Sequence, residues 1–110
     1  MSKSLTATLK IALAQCNFHV GDIPGNTAKI IEAAKKAADD GAQLIVFSEL
    51  ALTGYPPEDL LMRPSLEPRI HEALKEVAAV SHDIAIAVGY PVTRDNRLYN
   101  CAGVWSEGVC

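Results

Sequence analysis

Hydrophobic residues along the chain alternate between short runs and helix-spaced stripes, and the changes of period mark out a series of elements. Residues 10–16, Lys-Ile-Ala-Leu-Ala-Gln-Cys, form a compact apolar run with partial alternation that predicts a strand. Gly21, Pro24 and Gly25 follow as a loop. Asn26 is of a type that caps a helix, and Ile30, Ile31, Ala34 and Ala38 then recur at helical spacing until Gly41, which is placed to stop it. A second strand is predicted over 44–48, where Leu-Ile-Val-Phe-Ser opens with four consecutive apolar residues and so suits a strand covered on both faces.

Pro56, Pro57 and Pro64 then predict a long loop with room for one helical turn, because no regular helix or sheet holds them throughout. Pro68 suits a first helical position, and Ile70, Leu74, Val77 and Ala78 give a second helical stripe. A third strand is expected over 84–88, closed by Gly89-Tyr90-Pro91. A turn at Asp95-Asn96 leads into a fourth strand over 98–105, which ends at Ser106-Glu107-Gly108. Strands alternating with helices predict an α/β architecture with right-handed crossovers wherever the strands are parallel. Val109-Cys110 follows a strand and a turn with no polar tail, and reads as the start of a further strand, so that a fragment is expected.

Composition narrows the class. A chain of 110 residues supports one core, burying about 65% of the surface exposed by its unfolded form. Apolar residues make up 49% and charged residues 21%, as in ordinary globular domains. The net charge is −3 and the lysines are scattered, which argues against nucleic acid as a partner. Residues 1–8 are polar and read as a flexible N-terminus, with 9–110 as the folded unit. They lack the apolar region of a secretory signal, and no later run is long enough to span a bilayer, so the cytoplasm is the expected location and no membrane partner is expected. Cys16, Cys101 and Cys110 are an odd set without zinc-type spacing to a histidine, which predicts reduced thiols and no metal site.

Candidate chemistry centres on Glu49, a carboxylate placed where a buried strand opens into a crevice. Desolvation there raises a carboxylate toward the range of a general base; pairing with Arg63 or a neighbouring backbone group is the plainer alternative. Tyr55, held between Gly54 and two prolines, is placed either to wall a pocket near Glu49 or simply to pack on its loop. Cys16 and Cys101 read as small buried hydrophobes, while Cys110 is terminal. His19, His71 and His82 lie too far apart in sequence for ligand spacing, and Glu58-Asp59 fits a helix N-terminus better than an acid–base couple. Gly21 and Gly25 match neither dinucleotide nor P-loop spacing.

Taken together, residues 10–15, Gly21-Asp22, Asn26, Phe47-Ser48-Glu49-Leu50 and Thr53-Gly54-Tyr55 resemble the start of the nitrilase, or carbon-nitrogen hydrolase, superfamily. Within it, Phe47 through Leu61 with Arg63-Pro64, and Pro-Pro-Glu-Asp-Leu-Leu above all, is similar to the glutaminase domains of the glutamine-dependent NAD+ synthetases. The resemblance implies part of a four-layer αββα sandwich and a Glu-Lys-Cys triad that hydrolyses glutamine through a thioester. Glu49 matches the general base and Tyr55 a position near the glutamine pocket. The Lys and Cys are expected beyond Cys110: Lys3, Lys10, Lys29, Lys35, Lys36 and Lys75 do not stand in the matching context, nor do Cys16 and Cys101. The resemblance further implies ammonia transfer to a C-terminal synthetase domain that uses ATP and Mg2+, a homo-oligomer for the intact protein, no cofactor within this stretch, and no activity from it alone, since one acid retains little of a triad that acts as a unit. Another amidase of the superfamily, or a non-catalytic scaffold that keeps the fold, are the alternatives.

Overall fold

The computed structural model describes residues 9–19, 22–48, 51–53, 66–95 and 97–110. The expected flexible segment 1–8 and the loop holding Pro56, Pro57 and Pro64 lie outside the described residues. The chain runs β1 (Ile11–Leu13), α1 (Ile23–Asp39), β2 (Leu44–Val46), α2 (Leu66–Ala79), β3 (Ala85–Arg94) and β4 (Arg97–Trp105). One sheet of order β1-β2-β3-β4 results, parallel between β1, β2 and β3 and antiparallel between β3 and β4. The α/β expectation therefore holds, with a helix layer on a sheet layer.

Helix α1 starts earlier than the stripe implied, and its cap is Asp22 rather than Asn26. The Asp22 carboxylate accepts from the Gly25 N–H at 3.1 Å, and Pro24 sits in the first turn where a missing N–H costs nothing. At the other end Gly41 adopts φ +89°, and its N–H and that of Ala42 donate to the carbonyls of Ala38 and Ala37, both at 3.0 Å. That pair of bonds is a Schellman ending, and the left-handed backbone explains the glycine. In α2, Pro68 is the third helical residue rather than the first, still within the turn whose amides lack intrahelical partners. No helix among the described residues is long and apolar enough to cross a membrane.

The core lies between the helices and one face of the sheet. Ile30, Ala34 and Ala37 of α1 and Ile70, Ala73 and Val77 of α2 are buried against Ile45, Ile86, Val88 and Trp105. Register places Ala12, Ile45, Ile86 and Trp105 side by side in one row on that face. The adjoining row on the opposite face is Leu13, Val46, Ala87 and Val104, which is also apolar although Leu13 is 78% and Val104 53% exposed. A sheet apolar on both faces is built for cover on both. The described residues thus form one helix layer on one face of a four-stranded sheet.

Strand β3 corrects the sequence reading: it does not close at Gly89-Tyr90-Pro91 but continues to Arg94, pairing with β4 from Ile86↔Trp105 to Arg94↔Arg97. The Ala85 N–H donates to Gln43, and the Ala87 and Gly89 carbonyls accept from Phe47 and Leu52, so odd-numbered residues of β3 turn their amides toward β2. Pro91 has that parity and lies past the last β2 partner, so its missing N–H removes no ladder bond to β4. After β4, Ser106 and Val109 exchange two hydrogen bonds of 2.9 and 3.0 Å around a tight turn, with Glu107 and Gly108 both at positive φ. Ser81 anchors that turn: its carbonyl accepts from the Glu107 N–H at 2.9 Å and its Oγ from the Gly108 N–H at 2.8 Å.

Candidate functional site

The strand end that drew attention in the sequence is framed by described residues on both sides of Glu49. Regular pairing stops at Val46, two residues earlier than expected, but the chain stays in the sheet for one residue more, as the Phe47 N–H donates to the Ala87 carbonyl at 3.0 Å. The Phe47 ring is buried and meets Phe18 edge to face, with centroids 6.3 Å apart. Ser48 is exposed beyond it. The chain then doubles back: the Ala51 N–H donates to the Ser48 carbonyl at 3.2 Å and the Leu52 N–H to the Gly89 carbonyl at 3.4 Å. Ala51, Leu52 and Thr53 are all buried, so this segment is packed into the molecule rather than laid over it.

Asn26 secures the segment. It is fully buried in the first turns of α1, where the helix supplies no partner for its side chain. Its Oδ1 accepts from the His19 N–H at 2.8 Å, and its Nδ2 donates to the carbonyls of His19 at 2.7 Å and Leu52 at 3.1 Å. Both amide hydrogens and the oxygen are used, and a flipped amide would set oxygen against two carbonyls, so this orientation alone fits. The sequence reading took Asn26 for a cap and missed this role. Asp22 followed by Pro24 already supplies a cap, which leaves Asn26 inside the helix with a poor propensity that calls for a tertiary reason.

Between the ends of β2 and the middle of β3 and β4 lies a depression of about 480 Å³, walled by Val46, Phe47 and Ser48 on one side and by Ala87, Gly89, Cys101 and Ala102 on the other. Small residues on β3 and β4 leave this room. Ser48 stands at its rim, and Glu49 is the next residue in the sequence. Glu49 and Tyr55 themselves, with Glu58, Asp59 and Arg63, lie outside the described residues.

The other candidates separate. Cys16 and Cys101 are half-buried and Cys110 exposed, with no disulfide among them. His19 and His71 are exposed, and His82 pairs with Glu107 at 3.6 Å on the surface. Among the described residues no group of three or more His, Cys, Asp or Glu side chains could hold a metal ion. Burial pushes the Tyr90 phenol above its ordinary value, helped by the nearby Cys110 and Cys101 thiols; its ring packs on Trp105 at 5.9 Å.

Comparison with known proteins bears on this frame. The profile of the carbon-nitrogen hydrolases matches residues 10–108. A curated glutamine-dependent NAD(+) synthetase of Xanthomonas campestris is 44% identical over 98% of this chain, which covers 20% of that protein, and one from Thermotoga maritima is 40% identical over 91%, covering 18%. Among solved structures, a glutamine-dependent NAD+ synthetase from Acinetobacter baumannii in complex with ADP superposes with TM-score 0.84 at 42% identity, over 91% of this chain and 19% of that one. An amidase from Nesterenkonia sp. superposes with TM-score 0.77 at 26% identity, over 91% of this chain and 39% of that one. The chain thus spans about one fifth of the length of the curated relatives it matches.

Proposed function

This chain belongs to the carbon-nitrogen hydrolase family, and from that premise we propose that it is the N-terminal portion, residues 9–110, of the glutamine-hydrolysing part of a glutamine-dependent NAD+ synthetase. The observation that carries the reading is the 44% identity sustained over 98% of the chain with a protein of that activity. The amidase, at 26%, shares the scaffold at a lower identity, which favours the synthetase over a free-standing amidase.

In this reading Glu49 is the general base. It takes the proton of a cysteine thiol supplied beyond these residues as sulfur attacks the side-chain carbonyl of glutamine. The proton passes to the amide nitrogen, the C–N bond breaks, and ammonia departs to leave a thioester. Glu49 then takes a proton from water as its oxygen attacks the thioester, which releases glutamate and returns the proton to sulfur. The frame around the segment after Ser48 suits such a group, because a base works only when held within hydrogen-bond reach of the proton it moves. Tyr55 walls the glutamine side of the pocket. The freed ammonia serves amidation of nicotinate adenine dinucleotide in a C-terminal synthetase domain. ATP and Mg2+ belong to that domain. A homo-oligomer and a cytoplasmic setting go with the same proposal.

The test replaces Glu49 with Gln in the full-length gene product. Glutamine-dependent NAD+ formation should fall by about 10²–10⁴-fold, the usual contribution of a positioned base, while synthesis from free ammonia persists. Unchanged glutamine turnover in Glu49→Gln would overturn the assignment of the base, and a full-length protein that releases ammonia but forms no NAD+ would favour the amidase.

A further inference from the structure

Resting on the proposed function, we propose that Asn26 is a positioning residue for glutamine hydrolysis, locking the segment 51–53 that separates Glu49 from Tyr55. Three observations converge. The Asn26 side chain is completely buried and spends every hydrogen-bonding group on backbone far from its own position, at His19 and Leu52. Leu52 is held from its other side as well, its N–H on the Gly89 carbonyl of β3 at 3.4 Å. Ala51, one residue earlier, bonds back to Ser48 at the end of the sheet. The segment is thereby tied to β3, to the end of β2 and, through Asn26, to α1 and the stretch before it.

Removing the Asn26 donor unties only the last of these. The Leu52 carbonyl loses its partner while the β3 bond remains, so the segment loosens without leaving its place. The two residues assigned to chemistry flank it, Glu49 by two positions on one side and Tyr55 by two on the other. A displacement of about 1 Å at reacting groups can cost roughly 10²-fold in rate, so kcat for glutamine falls, and the KM rises with it where Tyr55 moves as well.

Thr27 provides the contrast. It is the next residue of the same helix, equally buried, and its Oγ1 donates to the Ile23 carbonyl at 2.6 Å within α1. Its loss weakens the helix and leaves segment 51–53 untouched.

The experiment compares Asn26→Asp, Asn26→Ala and Thr27→Val in the full-length gene product, with Glu49→Gln beside them. Asp keeps the shape of Asn26 and the acceptor for the His19 N–H but sets an oxygen against the His19 and Leu52 carbonyls, so it breaks the clamp most severely, whereas Ala removes it without burying a charge. Measured for each are kcat and KM for glutamine, NAD+ formation from free ammonia, and amide hydrogen exchange at Leu52. The expected result is that Asn26→Asp and Asn26→Ala lower glutamine kcat roughly 10²-fold with ammonia-dependent synthesis retained and Leu52 exchange accelerated, whereas Thr27→Val lowers stability alone. Two results overturn the inference: Asn26→Asp with the kcat of the unmodified protein, or Thr27→Val and Asn26→Asp losing kcat alike. Should Asn26→Asp fail to fold, Asn26→Ala decides on the same readouts. Glutamine turnover that survives in Glu49→Gln would instead defeat the functional reading itself, and accelerated Leu52 exchange in Asn26→Asp would still register the clamp.

Discussion

Replacing Gly103 with Ala should destabilise the fold because of one ring. Gly103 and Trp105 share the helix-facing side of β4, and the indole lies back over Gly103. A Cβ at 103 would stand 2.5 Å from Cη2, 2.7 Å from Cζ3 and 3.2 Å from Cζ2 of Trp105. The ring would have to retreat by roughly 1 Å to regain an ordinary carbon–carbon contact. It has little room, being 6% exposed and packed on Tyr90 at 5.9 Å. Overpacking of this kind costs about 1–3 kcal/mol, while Gly to Ala inside a strand returns about 0.5–1 kcal/mol. The net loss is about 1 kcal/mol, which at a urea m-value of about 1.5 kcal/mol/M lowers the midpoint by roughly 0.7 M. Urea titration followed by far-UV circular dichroism measures it, and Trp105→Phe supplies the control. With the outer ring of the indole gone, Gly103→Ala should become neutral or favourable, a coupling of about 1–2 kcal/mol in the double-mutant cycle. Equal destabilisation in both backgrounds would show that the indole is not the obstacle.

Ser81→Ala should lower stability by about 1–3 kcal/mol, because it leaves the Gly108 N–H without the Oγ it meets at 2.8 Å; a thermal melt reads this directly. For Tyr90, whose phenol is pushed up by burial and then by the Cys110 and Cys101 thiols, the unfolded chain loses its proton first. The stabilising contribution is complete below pH ~10 and declines as pH rises through the folded value. Tyr90→Phe should therefore flatten the fall in urea midpoint above that pH, and parallel curves would refute the assignment. The 110-residue chain should bind an exposed-apolar dye through the face bearing Leu13 and Val104, 78% and 53% exposed. Leu13→Lys with Val104→Lys should abolish the fluorescence while each shifts stability within about 0.5 kcal/mol.

Element types were readable because they rest on local periodicity: Ile30 and Ala34 of α1, Ile70 and Val77 of α2 and Ile86 and Val88 of β3 are all buried where the pattern put them. Boundaries were less so, for reasons that sit in other parts of the chain. Pro91 looks like a strand breaker until the register shows that its amide faces past the end of β2. Asn26 looks like a cap until the Leu52 carbonyl, far along the sequence, claims its side chain. What the sequence marked was a candidate place, the end of β2, since a carboxylate shortly after four apolar residues is conspicuous. The groups that steady that place were not legible, because a hydrogen bond between a helix and a distant loop leaves no periodic trace.

The strand order carries a kinetic consequence. Among the described residues each strand pairs with its neighbour in the sequence, β1 with β2, β2 with β3 and β3 with β4. A ribosome releases these segments in the same order, N-terminal first. Each newly emerged strand can therefore add to the growing edge, and none must be inserted between two already in place. The longest ladder, β3 with β4, spans only the turn at Asp95, so its closure is the most local of the three and has the smallest loop entropy to overcome. These four strands can be assembled as they are synthesised, with Val104 joining the row of Leu13, Val46 and Ala87 only when β4 arrives.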